Sequence, residues 1–150
     1  MGTAFVTAMY TGLSHTEHGG RNRDQMYLDS LKSLNSMHHP IICFVNPDKL
    51  MYHKWCVEEL GLNYVIVLPF DIFSQEFSDD IVKIKNNNPE IYKSGDDVWQ
   101  HRCVQLMWSK TRMISTAIEL LGSAINNVFR IDVGLSNSAI IRHKYFRDID

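Results

Sequence analysis

Four short apolar segments recur along the chain, each separated from the next by a stretch with helical features. They are TAFVTAMY (3–10), PIICFV (40–45), NYVIVLP (63–69) and VFRIDV (128–133). Three of them are rich in β-branched or aromatic residues and are apolar without alternation, which is typical of strands covered on both faces. The alternation of strands and helices predicts an α/β domain with a mainly parallel sheet, flanking helices and right-handed crossovers.

Helical patterns fill the gaps between these strands. They cover 24–37, 47–60, 74–85 and 96–122, and the third is the most polar and the weakest. The last segment begins with acidic residues and ends at a glycine, which predicts one long helix. Its inward-facing apolar stripe is expected to consist of Trp99, Cys103, Leu106, Met107, Met113, Ile114, Ala117, Ile118 and Leu121.

The length and composition fit one compact domain over residues 1–150. With 150 residues, 45% of them hydrophobic, the chain can form a single core. Its 15 basic and 17 acidic residues form no long block of like charge, so neither a nucleic-acid groove nor a polybasic membrane surface is expected. We find no pattern of a secretion signal and no apolar stretch of transmembrane length, and we therefore expect a cytoplasmic protein.

The three cysteines, Cys43, Cys56 and Cys103, are widely spaced and lie within apolar segments. An odd number of cysteines in such positions does not suggest a disulfide framework or a zinc site. We expect all three to be buried thiols.

Candidate binding residues follow from where the predicted strands end. In open α/β sheets, ligands bind in the crevice beyond the carboxyl ends of the strands. The residues at these ends are Thr7, Ala8 and Tyr10 after the first strand, Asn46 after the second, Asp71 after the third and Asp132 after the fourth. Two carboxylates and an aromatic ring are thus expected at one edge of the sheet.

Asp132 is the most informative of these residues. A carboxylate at the end of a buried strand is partly desolvated, so it requires a cation, a metal ion or several hydrogen-bond donors. Gly134 would allow a ligand or a backbone to approach closely. The alternative is that Asp132 caps the following turn through the local backbone, since DVGLSN also has the composition of a turn.

Lys110 interrupts the apolar stripe of the last predicted helix, so its side chain is aimed inward. It would either lie on the core and pair with an acid such as Asp132, or point its ammonium at a phosphate. Arg23 belongs to a polar loop after the first strand, which would either face a phosphate or be solvated. A nucleotide diphosphate suits one acid, a nearby lysine, loop arginines and an aromatic ring. Neither a P-loop nor a dinucleotide-binding glycine motif follows any strand, which argues against P-loop ATPases and ordinary dehydrogenases.

The order of these segments resembles the GT-A (Rossmann-like) glycosyltransferases, and among them the bacterial HtrL/YibB-like proteins and related viral enzymes. The resemblance spans residues 3 to 135. The motifs that carry it are TAFVTAMY, RDQMYLDSL, PIICFVNP, VIVLPFDIF, QLMWSKTRMISTAI and VFRIDVG. In the last motif, Arg130 stands where the family usually has a tryptophan, a change on an expected exposed face.

The resemblance implies transfer of a sugar from a nucleotide-diphosphate donor, such as a UDP- or GDP-sugar, to a hydroxyl of a glycan or another acceptor. It implies that Thr7, Ala8 and Tyr10 line the base and ribose pocket with Arg23 nearby, and that Lys110 supports the diphosphate or Asp132. Asp132 matches the first acid of the family's Asp-x-Asp metal motif and would hold Mn²⁺ or Mg²⁺. Asp71 is a secondary candidate.

Two departures from the family pattern leave a second hypothesis open. Gly134 stands where the second acid of the metal motif would be, so dependence on a metal is less certain than in the family. Family domains also continue well beyond this strand, so we expect a short or truncated domain. The alternative function is a non-catalytic α/β domain that binds a nucleotide or another protein.

Overall fold

The computed structural model describes residues 2–10, 23–74, 77–89 and 97–132. These residues form four strands and five helices, and their order begins β1 (Thr3–Met9), α1 (Arg23–Asn35), β2 (Ile41–Val45). After a 3-10 turn at Pro47–Lys49, the chain continues with α2 (Leu50–Glu59), β3 (Val65–Pro69), α3 (Ser78–Asn87), α4 (Asp97–Trp108), α5 (Lys110–Leu121), a second 3-10 turn at Gly122–Ala124 and β4 (Asn127–Arg130). The four predicted strands are therefore all present.

The strands form one sheet in the order β3-β2-β1-β4, and every neighbouring pair is parallel. The predicted α/β class with a parallel sheet is confirmed, and the arrangement is consistent with a Rossmann-like fold. The chain builds the sheet outward from β1 to β3 and then returns to place β4 on the other side of β1. The topological switch point, where ligands bind in such sheets, thus lies between β1 and β4.

Two apolar layers cover the sheet, one on each face. Alternate side chains of a strand point to opposite faces, and Phe5, Met9 and Cys43 pack with Leu31 of α1 and Cys56 of α2. On the opposite face, the core joins strand residues to α5 and consists of Val6, Ala8, Tyr10, Ile42, Phe44, Ile72, Met113 and Ala117. The sheet is therefore sandwiched between α1 and α2 on one side and α5 on the other.

Cover on both faces is complete only for the two central strands. All residues of β2 are buried, as are those of β1 after Thr3. On the edge strands, Ile66 of β3 is 49% exposed and Phe129 of β4 is 53% exposed. An edge strand has one neighbour, and the helices pack over the centre of the sheet.

The predicted single helix over 96–122 is wrong, because the segment is interrupted at Ser109. The hydroxyl of this buried residue donates a hydrogen bond to the carbonyl of Gln105 at 2.7 Å, a contact that bends helices. Its ψ of −7° departs from helical values. The apolar stripe predicted to face inward on this segment also included too many residues, since Met107 is 56% exposed and Ile118 is 51% exposed.

Buried thiols are confirmed for Cys43 and Cys56, which are free cysteines, while the Cys103 side chain lies outside the described part. Among the described residues, no helix combines the length and apolarity that crossing a bilayer requires.

Candidate functional site

The end of β4 lies beside β1, at the switch point of the sheet. The backbone N–H of Ile131 donates to the carbonyl of Val6 at 2.9 Å, which continues the β1–β4 pairing one residue past the strand. Asp132 follows directly. Its position at the carboxyl edge of the sheet is therefore fixed by backbone hydrogen bonds.

Two cations meet the carboxylate of Asp132. The Nζ atom of Lys110 lies 3.3 Å from its Oδ1 atom. The Nη1 atom of Arg130 donates a hydrogen bond to the same oxygen. We refer to Lys110, Arg130 and Asp132 as the charged cluster.

The fold explains why these three side chains meet. Arg130 pairs in register with Val6, which lies in the core layer that contacts α5. Side chains two residues apart along a strand point to the same side, so Asp132 follows Arg130 toward α5. Lys110 is the first residue of α5 and reaches the cluster from above the sheet.

The two cations set the protonation state of Asp132. Partial burial alone would raise the pKa of this carboxyl group, but the hydrogen bond and charge of Arg130, together with Lys110, outweigh it. The pKa of Asp132 therefore lies below its ordinary value. At neutral pH the cluster holds two positive charges and one negative charge.

The exposure of the three side chains is graded. The Asp132 side chain is 53% exposed and that of Lys110 is 32% exposed, but that of Arg130 is only 14% exposed. The Nε atom of Arg130 is buried and has no hydrogen-bond partner among the described residues. The cluster thus offers an anchored guanidinium and a more mobile ammonium, both of which are donors to anionic oxygens.

Arg130 is a residue whose role was missed in the sequence. It was interpreted as a change on an exposed face, and this is wrong, because its side chain faces the α5 layer and is largely buried. The signal was the spacing Arg-x-Asp on a strand, which places both side chains on one side of the sheet.

The three predicted residues of the first strand lie in the core. Thr7 is 0%, Ala8 9% and Tyr10 3% exposed. The hydroxyl of Tyr10 donates to the carbonyl of Phe70, its ring packs edge-on against Phe73 at 5.6 Å, and burial raises its pKa. In the part of the chain that the structure describes, the buried Oγ1 atom of Thr7 has no hydrogen-bond partner.

Asp71, the other predicted residue whose side chain the structure describes, is not part of the charged cluster. The Oδ1 atom of Asp71 accepts hydrogen bonds from the backbone N–H groups of Phe73 and Ser74, at 3.0 and 3.1 Å. The Ser74 side chain also forms a hydrogen bond with this carboxyl group, and this bond is the main reason why the pKa of Asp71 is lowered. Asp71 follows β3, and β3 and β4 are the two outer strands on opposite sides of the sheet. Arg23 begins α1, but its side chain and the whole of Gly134 lie outside the described residues.

The charged cluster does not fit a divalent ion well. Mn²⁺ and Mg²⁺ prefer several oxygen ligands, whereas Asp132 supplies one carboxylate whose Oδ1 atom already faces two cations. In the described ranges, no three His, Cys, Asp or Glu side chains are grouped so as to hold a metal ion. The predicted Mn²⁺ or Mg²⁺ at Asp132 stays a prediction, and no chemical step is derived through it.

A separate small pocket lies at the other end of α5. Its volume is about 160 Å³, and its lining residues include Ile118, Leu121, Asn126 and Val128. It is mainly apolar and carries no charged side chain. It does not resemble a phosphate site.

Comparison with models of protein families, with curated proteins and with solved structures finds no match to this chain.

Proposed function

We propose that this chain binds a nucleotide-diphosphate sugar at the carboxyl edge of its sheet and transfers the sugar to an acceptor hydroxyl. The observation that carries the proposal is the charged cluster, in which Lys110 and Arg130 meet Asp132 at the switch point between β1 and β4. The resemblance of the ordered sequence motifs to GT-A glycosyltransferases supports the same proposal.

The chemistry of the cluster suits the departure of a diphosphate. When the bond between the sugar and the diphosphate breaks, negative charge grows on the phosphate oxygens, and fixed cations stabilise it more than they stabilise the bound donor. In this proposal, Lys110 and Arg130 supply these cations, and their contacts with Asp132 support that role. In this proposal, the base and ribose lie beyond the carboxyl end of β1, next to the charged cluster.

A thermal-shift and calorimetric panel tests donor binding. The full chain is titrated with UDP-, GDP-, dTDP- and CMP-linked sugars, in EDTA and with Mn²⁺, and release of free sugar or transfer to an acceptor is followed. We expect at least one nucleotide-diphosphate sugar to raise the melting temperature. If none does so in either buffer, the proposed function is wrong.

A matched pair of variants shows whether binding uses the cluster. Lys110→Met keeps the volume of the side chain and removes its charge, and we expect it to weaken donor binding about tenfold or more. Lys54→Met makes the same change at an exposed position on α2, on the opposite face of the sheet. It should bind like the parent chain, and equal losses in both variants would contradict a role for Lys110.

The second candidate is a domain that binds the nucleotide sugar without turning it over. It is favoured by the state of Asp132, whose Oδ1 atom is engaged by two cations and is thereby a poor proton acceptor. Tight binding with neither sugar release nor transfer would support this candidate. Turnover that is lost in Lys110→Met would support the enzyme.

A further inference from the structure

We infer that the charged cluster binds the diphosphate of its ligand through Arg130 and Lys110 without a divalent ion, and that Asp132 is their internal counter-ion. The inference rests on the proposed function for the identity of the ligand, a nucleoside diphosphate or its sugar. It differs from the metal site that the sequence predicts, because it gives Asp132 a different partner and adds Arg130.

The balance of charge favours an anion over a cation at this place. Among the described residues, two cations against one carboxylate leave the cluster with an excess positive charge. A divalent ion bound to Asp132 would lie within a few ångströms of both the ammonium and the guanidinium, since these groups already contact its Oδ1 atom, and like charges at such distances repel strongly. A diphosphate, by contrast, is attracted to both cations.

The geometry of Arg130 is that of an anchored donor. Its side chain is 14% exposed and is held between β4 and the α5 layer, so little conformational freedom is lost when it binds an anion. A guanidinium also presents several N–H groups in a planar fork that matches two phosphate oxygens.

The other two members of the cluster are able to rearrange. Lys110 has a flexible stem and three rotatable donors, and its side chain is 32% exposed. Asp132 has the most exposed side chain of the three, at 53%, so its carboxylate is free to turn toward water when a phosphate takes its place between the cations. Before the anion binds, Asp132 holds the two cations in position. When the anion binds, it must displace the Asp132 carboxylate, which therefore competes with it.

A counter-ion and a metal ligand at position 132 predict opposite changes in diphosphate affinity when the charge of Asp132 is removed. Asp132→Asn keeps the size of the side chain and removes its charge. If Asp132 is a counter-ion, the variant binds a diphosphate more tightly in EDTA, because the competing carboxylate is gone. If Asp132 holds a metal that bridges to the diphosphate, the variant binds more weakly with Mn²⁺ and the parent chain does not bind in EDTA.

The experiment is isothermal titration of the full chain with inorganic pyrophosphate and with UDP, in EDTA and with excess Mn²⁺. We expect the parent chain to bind in EDTA and Mn²⁺ not to strengthen binding. We expect Asp132→Asn to bind more tightly and Arg130→Met about tenfold more weakly or worse. If Arg130→Met fails to fold, Lys110→Met tests in its place whether loss of a cation weakens binding. Lys54→Met is the control.

The outcomes separate this inference from the proposed function. Binding that requires Mn²⁺ and is lost in Asp132→Asn would overturn the inference and leave the proposed function standing. Binding of pyrophosphate in EDTA, with no binding of any nucleotide or nucleotide sugar, would support the metal-independent phosphate site and contradict the proposed function. Absence of binding by every probe in both buffers would overturn both.

Discussion

The ammonium of Lys110 lies 3.3 Å from the Oδ1 atom of Asp132, which joins the start of α5 to the end of β4. The sequence analysis left two alternatives for Lys110, pairing with an acid or pointing at a phosphate. The pairing is present in the structure, and Arg130 shares the same carboxylate. These alternatives are compatible, because an ammonium that is held by a carboxylate is already in place for an anion.

Asp132 should make the stability of the protein depend on pH in acid. Its pKa is lowered in the folded state from an ordinary value of 3.8, so the unfolded chain binds more protons in the interval between the two values. The stabilisation is therefore complete above the unfolded pKa and is lost as the pH falls through the folded pKa. Because the Asp132 side chain is half exposed, we expect it to contribute no more than about 1 kcal/mol to the free energy of unfolding.

Urea unfolding of the parent chain and of Asp132→Asn over a pH series measures this contribution. The parent chain should be the more stable at about pH 7, and the difference should shrink as the pH falls below about 4. A difference that stays constant into acid would show that the charge of Asp132 is not its source. The exposed Asp48→Asn variant is the matched control.

Tyr10 should contribute to stability more than to anion binding. Its hydroxyl donates to the carbonyl of Phe70 and ties the end of β1 to the segment after β3. Tyr10→Phe keeps the ring and its contact with Phe73 but leaves that carbonyl without this donor, and we expect a loss of about 1 kcal/mol in unfolding free energy. Tyr64→Phe, at a side chain that is 39% exposed, should be nearly neutral.

Calorimetry with pyrophosphate provides the second measurement for Tyr10→Phe. Because Tyr10 does not belong to the charged cluster, we expect the affinity of the variant to equal that of the parent chain. A variant of unchanged stability and weakened pyrophosphate binding would mean that the hydroxyl serves the ligand and not the fold.

Much of the fold followed from the sequence because β1 and β2 bury both faces. A strand that is apolar without interruption, such as PIICFV, has few other structures open to it. The burial of the edge strands was harder to predict from the sequence, since Ile66 and Phe129 are apolar and yet half exposed. The break at Ser109 was missed because the apolar pattern continues past it, and nothing in that pattern reports a side-chain bond to the carbonyl of Gln105.

The candidate site followed from the sequence only in part. Asp132 was found because a carboxylate at the end of an apolar strand is costly to desolvate. The contribution of Arg130 depends on β4 lying beside β1 with Arg130 in register with Val6, and the sequence does not contain the strand order. Burial of Thr7 and Tyr10 likewise depends on how the helices cover the centre of the sheet.

Cys43 should be unreactive in the folded protein. It lies at the centre of the sheet with 0% exposure, and burial raises the pKa of its thiol to about 12. The thiolate is the reactive form, so iodoacetamide at about pH 8 should leave Cys43 unmodified in the native chain and alkylate it in urea. Peptide mass spectrometry locates the label, and rapid labelling of Cys43 without denaturant would contradict the central position of β2.

Gly2 should control how firmly β4 is attached to β1. Its carbonyl accepts hydrogen bonds from the backbone N–H groups of Asn126 and Asn127, at 2.9 and 3.2 Å. A Cβ atom at this position would lie 2.7 Å from the carbonyl oxygen of Ala124 and 2.8 Å from the Cδ1 atom of Ile125. Gly2→Ala must therefore displace the chain that leads into β4, at a cost of about 1–3 kcal/mol.

Amide hydrogen exchange identifies where the effect of Gly2→Ala arises. We expect faster exchange at Asn126, Asn127 and Ile131, whose N–H groups bond to β1 or to Gly2, and unchanged exchange at the β2–β3 pairing. Because β4 positions Arg130, the variant should also bind pyrophosphate more weakly than the parent chain. Gly61→Ala is the control, since a Cβ there meets nothing within 4 Å and only the strain of a φ of +62° is added. Loosening of the whole sheet by Gly2→Ala, with no preference for β4, would contradict this account.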